Sequence, residues 1–106
     1  MKGERLGEFE ELVLLAAYGH NGDAYGVTIQ QQLEQSIGRR TTIGAVYAAL
    51  DRLERKGYLS SRVGGATHER GGRRKRFFTI TKAGVSALEA VRADREQMWG
   101  LVENRQ

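Results

Sequence analysis

The chain has 106 residues, 40% of them apolar and 28% charged, and no cysteine, which suits one domain with a modest core and excludes a disulfide framework or a thiolate zinc site. Its longest apolar run, residues 12–18, is far short of the roughly 20 residues that span a bilayer; the acidic opening MKGERLGEFEE lacks the apolar segment of a secretory signal, so a cytoplasmic protein is expected. The net charge of +4 is unevenly placed: residues 39–82 carry twelve Lys/Arg against three acids, and the remainder five against ten, the concentration of cations that a nucleic-acid surface requires.

Residues 6–18 predict a first helix with Leu6, Phe9, Leu12, Val13, Ala16 and Ala17 on a broad apolar face. Glu8, Glu10 and Glu11 fall in its first turns, where the helix dipole favours negative charge. The stretch GHNGD is a turn. A second helix is expected from about Ala24 to Ile37, with Tyr25, Ile29, Leu33 and Ile37 at steps of four and Gly38 as its stop. The link to the next helix is only residues 39–41, tight enough for a helix-turn-helix.

The third helix, residues 41–57, has two different faces. Ile43, Val46, Tyr47, Leu50 and Leu53 form the expected core stripe. Opposite lie Ala45, Ala48, Arg52, Arg55 and Lys56: small residues that permit close approach of a partner, then cations. Thr41 or Thr42 supplies the N-cap, and Gly57 stands where a left-handed residue ends a helix.

After Gly57 the period falls to two, with strands expected at residues 59–63 and 75–81. The glycine-rich loop 64–74 between them makes the pair a ribbon with a basic tip, anchored on the helices by Leu59, Phe78 and Ile80 because a lone hairpin is marginal in water. Thr81 caps a last helix to about residue 103. Leu88, Val91, Arg95, Met98 and Val102 mark a heptad-like seam along it. At about 1.5 Å per residue this helix is about 33 Å long, longer than the helical body it leaves, so its far end needs a partner; a second copy in a two-fold dimer is the simplest.

This order, with Tyr25-Gly26, the run GAVYAALDRLERKGYL at residues 44–59 and GGRRKRFFTITKAG at residues 71–84, resembles the PadR-like family of winged-helix transcriptional regulators, in particular its short members with one C-terminal helix. The likeness covers nearly the whole chain. It implies a mainly helical α+β fold: a winged helix-turn-helix of three helices and a two-stranded wing over residues 1–81, then a dimerisation helix over residues 82–106. It also implies a homodimeric repressor released by a small aromatic effector. Two departures stand out. Ala48 replaces the proline that many relatives carry after the tyrosine, and Gly100 would fray or bend the last helix.

The expected DNA contacts are Arg39 and Arg40 at the turn, Thr42, Gly44, Ala45, Ala48 and Arg52 near the bases of a pseudo-palindromic operator, and Tyr47 at a phosphate. Arg70, Arg73, Arg74, Lys75 and Arg76 are the expected wing contacts. The dimer interface is expected at Leu6, Phe9, Leu88, Val91, Arg95, Met98, Trp99 and Val102, where Trp99 either packs the interface or stacks a planar effector. No catalytic constellation is recognisable: G-x-S-x-G, H-E-x-x-H and G-x-x-x-x-G-K-[ST] are all missing, and neither an enzyme nor a cofactor or metal is expected. The rival reading is a winged-helix module whose basic surface binds an acidic protein partner.

Overall fold

The computed structural model describes residues 5–64 and 75–105; the expected wing contacts Arg70, Arg73 and Arg74 lie outside them. The elements run α1 (Glu8–Gly19), α2 (Gly26–Ile37), α3 (Ile43–Arg55), β1 (Leu59–Val63), β2 (Arg76–Ile80) and α4 (Lys82–Glu103). The order is the one the sequence predicts: three helices, a hairpin, a long last helix.

Local chemistry fixes the helix ends. Thr42 Oγ1 accepts from Ala45 N at 3.0 Å and Thr81 Oγ1 from Gly84 N at 3.0 Å, so of the two threonines before α3 it is Thr42 that caps. Helix α2 begins two residues later than expected. There Thr28 Oγ1 accepts from Tyr25 N and donates back to Tyr25 O, which makes Tyr25 the cap. Gly38 and Gly57 follow α2 and α3 with φ of 66° and 84°, left-handed values that a Cβ would strain.

The first three helices close around Val13, Leu14, Ile29, Val46, Leu50 and Leu53, all at 0% exposure. Strands β1 and β2 pair antiparallel, Leu59 opposite Ile80 and Ser61 opposite Phe78, which puts Leu59, Phe78 and Ile80 on one face. All three are buried in the helical core, as their apolar character predicts. The hairpin is also tied along its outer edge: Phe78 N donates to Ala24 O at 2.8 Å, an isolated bridge that makes the turn after α1 a third edge. The core stripes differ from expectation at their ends. Ile37 and Ile43 are 56% and 39% exposed because each sits at a helix terminus beyond the reach of its neighbours. Leu14 and Ala49, outside the expected stripes, are fully buried, since α1 and α3 are each enclosed by several elements rather than one.

Helix α4 is continuous through Gly100. Leu88 is buried in the core, whereas Met98, Trp99, Leu101 and Val102 stand out at 57–62% exposure. The radius of gyration, 15.7 Å, exceeds the roughly 13 Å of a compact chain of this size, the signature of a helix projecting from a small body.

Phe78 joins the hairpin to the core and to the Ala24 edge. Replacing Phe78 with Ala is therefore expected to destabilise the protein by about 3–5 kcal/mol in urea denaturation, whereas Val63→Ala, at a position 60% exposed, is expected to change it by under about 0.5 kcal/mol.

Candidate nucleic-acid interface

Helix α3 presents Thr42, Gly44, Ala45 and Ala48 on its exposed side, in its N-terminal half. Its C-terminal half is held from two flanks by charge. On one flank Glu10 of α1, with a side chain only 8% exposed, faces Lys56 Nζ at 2.7 Å and Arg52 Nε at 2.8 Å. The same carboxylate accepts from Gly7 N at 2.9 Å, and Lys56 Nζ donates also to Arg5 O at 2.8 Å. Residues 52 and 56 are one turn apart, so one carboxylate grips two successive rungs of the helix.

On the other flank Arg76 of β2 reaches Asp51 Oδ1 at 3.3 Å and Glu54, with its Nε on Ser61 Oγ at 3.2 Å and its guanidinium 5.0 Å from the Phe78 ring centre. Arg76, expected as a wing contact, is thus placed as a strut between wing and helix, with its side chain 40% exposed. Arg52 likewise has its Nε engaged inward. Its side chain remains 44% exposed.

The other expected contacts divide in the same manner. Arg39 turns back onto α1, pairing with Glu8 at 2.8 Å and lying 5.2 Å over the Phe9 ring. Arg40 stands out at 86% exposure beside Glu34. Tyr47 is half-buried, its ring against the start of α2: a Cβ on Gly26 would lie 2.5 Å from Tyr47 Cζ, so the glycine makes room for the ring. At the base of the wing Lys75 Nζ sits 4.5 Å from the Tyr25 ring centre and Arg62 sits 4.9 Å from that of Phe77, the two rings meeting edge to face at 5.6 Å. This cation–aromatic pile holds two positive groups upright beside α2. Arg62 and the aromatic pair were not among the expected site residues; the alternation of Arg62 with β1's core-facing positions is the signal that marks it as outward.

The expected dimer residues are split between the body and the projecting helix. Phe9 and Leu6 pack at the edge of the core and Leu88 within it. Arg95 pairs with Glu11 of its own chain at 2.7 Å. Met98, Trp99 and Val102, with Val91, Ala87 and Tyr58, line an open groove of about 1260 Å³ along α4. Among the described residues no group of three or more His, Asp or Glu side chains is placed to hold a metal ion, and no helix is long and apolar enough to cross a membrane.

Glu10 gives the clamp a pH signature. Burial raises its carboxyl pKa, but hydrogen bonds from Lys56, the Gly7 N–H and Arg52 outweigh this and hold it at about 2. A carboxyl lowered on folding stabilises the fold above its unfolded pKa and loses that contribution as pH falls toward the folded value, roughly 3 kcal/mol in all between about pH 4.5 and 2. Glu10→Gln is expected to be less stable than the parent at pH 7 by urea denaturation, with the gap narrowing as pH falls below 4.5; a gap that stays constant contradicts the clamp.

The description "Transcriptional regulator PadR-like family" matches residues 14–90. No curated protein sequence matches the chain at a significant level. Among solved structures, a PadR-like transcription factor from Bacteroides fragilis is similar at a TM-score of 0.76 and 21% identity, over 92% of this chain and 89% of that one. A PadR family transcription regulator from Clostridium difficile R20291 is similar at 0.67 and 26% identity, over 92% of each. Bacillus subtilis PadR in complex with operator DNA is similar at 0.62 and 18% identity, over 78% of this chain and 45% of that one. The family match spans most of the chain and includes α3, the wing strands and the start of α4, so the protein belongs to the PadR-like family of transcriptional regulators.

Proposed function

We propose that the protein is a homodimeric, sequence-specific DNA-binding repressor that a small aromatic effector releases from its operator. The observation that carries this reading is the exposed half of α3: Thr42, Gly44, Ala45 and Ala48 form a face of small side chains, while Val46, Leu50 and Leu53 bury the opposite face completely. Such a face enters a major groove without steric hindrance and meets thymine methyl groups better than it makes bidentate hydrogen bonds. Arg40, Lys75, Arg62 and Arg52 serve as phosphate contacts, and the sequence adds Arg70, Arg73 and Arg74, which lie outside the described residues. In this reading Arg39 and Arg76 act by holding the helices that carry the contacts, and base preference leans on groove shape. The complex of Bacillus subtilis PadR with operator DNA supports the choice of DNA as partner.

The exposed apolar end of α4 supports the dimer. Four large apolar side chains there, Met98, Trp99, Leu101 and Val102, are more than half in water, an arrangement a second copy relieves. Two copies present their α3 helices to half-sites about 34–36 Å apart. Trp99 lies in the groove along α4, where an aromatic effector that prefers one arrangement of the two protomers shifts the spacing of the recognition helices.

Three measurements test this. Light scattering is expected to give twice the chain mass. In a gel shift against the DNA upstream of its own gene, retention is expected to be sequence-selective and to weaken by about 10³-fold or more between 50 and 200 mM salt if roughly 8 phosphates are engaged. A flat salt response, or no retention at low salt, favours an acidic protein partner instead. Titration with planar aromatic cations is expected to quench Trp99 and to release DNA together; quenching without release removes Trp99 from the mechanism.

A further inference from the structure

We propose that Gly84 sets the operator half-site spacing of this protein, by fixing the angle at which α4 leaves the recognition helix. The inference rests on the reading of the chain as an operator-binding dimer joined through α4, and it assigns a role to a residue that reading does not otherwise use.

The two residues that lead out of α3, Gly57 and Tyr58, meet the start of α4 backbone to backbone. Gly57, with φ of 84°, turns the chain out of α3 into Tyr58 and β1. Thr81, just before α4, donates from Oγ1 to Gly57 O at 2.7 Å and from its backbone N to Tyr58 O at 3.1 Å. The same hydroxyl accepts from Gly84 N, so a single threonine links the two helices. Gly84 is buried in the first turn of α4, and a Cβ there would fall far inside contact distance of the Tyr58 carbonyl oxygen and 2.7 Å from Ile80 Cγ1. The main obstacle is backbone, which no rotamer change relieves; α4 has to tilt or slide away. Gly44 and Gly100 differ, with nothing within 4 Å of the same added atom.

Farther along α4 the ties to the body are made by side chains. Leu88 packs into the core, and Arg95 holds the Glu11 carboxylate, itself 15% exposed, through Nη2 at 2.7 Å and Nε at 3.4 Å. Side chains adjust by rotamer changes, whereas the backbone contact at Gly84 does not, so the elbow sets the direction in which the helix starts. Over the about 33 Å of a 22-residue helix, a tilt of about 6° at one end carries the other about 3.4 Å sideways, the rise of one base pair. In a dimer joined through the far ends, the same tilt changes the separation of the two α3 helices. A side chain at residue 84 is thus read as altered spacing between half-sites, with the base preference of each half-site retained.

The test uses the full chain as wild type, Gly84→Ala, Thr81→Val and Thr81→Ser. Each is offered a pool of duplexes holding two copies of the half-site that the wild type selects, with spacers a few base pairs shorter or longer than its optimum; dimer mass and thermal midpoint are followed in parallel. Gly84→Ala is expected to remain dimeric and to select a spacer displaced by about one to two base pairs. Thr81→Val removes both bonds of the hydroxyl without adding bulk at the glycine, and is expected to flatten the spacer preference several-fold, while Thr81→Ser keeps the wild-type profile. An unchanged spacer profile in dimeric Gly84→Ala overturns the proposal, as does an unchanged profile in Thr81→Val where the alanine variant does not fold. A wild type that selects no DNA overturns the operator reading itself, and is distinguished from failure of the elbow because no variant enters that comparison.

Discussion

One carboxylate, that of Glu10, decides how α3 sits against α1. It is nearly removed from water and accepts from a backbone N–H, a lysine and an arginine, so every strong donor around it is matched. A buried charge left without partners is expensive, whereas one with several charge-assisted hydrogen bonds is held in a single geometry. Because two of its partners lie one turn apart on α3, the pairing fixes both the height and the rotation of that helix against α1. The hydrophobic core alone is less exacting, since Val46, Leu50 and Leu53 tolerate small rotations that a short ionic contact does not.

The second flank repeats the principle with the signs exchanged. There the helix supplies the acids, Asp51 and Glu54, and the wing supplies the arginine, Arg76. Between the two clamps α3 has no freedom to roll, and its small-residue face is presented at a fixed angle to the wing. This also alters the meaning of the charge count. Several of the cations concentrated in residues 39–82 are engaged with the protein's own carboxylates, among them Arg39, Lys56 and Arg76, while among the described residues Arg40, Arg52, Arg55, Arg62 and Lys82 are exposed. A good part of the basic region is therefore a set of internal fastenings.

Just past the same end of α3, Gly57 and Tyr58 are joined to the start of α4 by backbone contacts and the Thr81 hydroxyl. Three parts then follow one another: clamps that hold the small-residue face of α3, an elbow of close backbone contacts, and a projecting helix with an exposed apolar end. Under the proposed function the last part is where an effector acts and the first is where DNA responds. The elbow matters because a stiff joint converts a small change of helix angle into a displacement comparable to the base-pair rise.

The sequence by itself determined the elements and their order. Thr41 or Thr42, with Thr81, Gly38 and Gly57, announce the ends of helices through the chemistry of a single side chain or its lack, and the change of period after Gly57 separates ribbon from helix; the family followed from runs such as GAVYAALDRLERKGYL. It also picked out Leu59, Phe78 and Ile80 as anchors, since apolar residues on one face of a hairpin have only one place to go. Only the tertiary structure decided which charges are spoken for. Glu10 meets Arg52 across 42 positions and Arg76 meets Asp51 across 25, and no local periodicity encodes a pairing between elements that become neighbours only when the core closes. The close approach of Gly84 to Tyr58 is of the same kind: a glycine inside a helix reads as a local weakness until the backbone lying against it is in place.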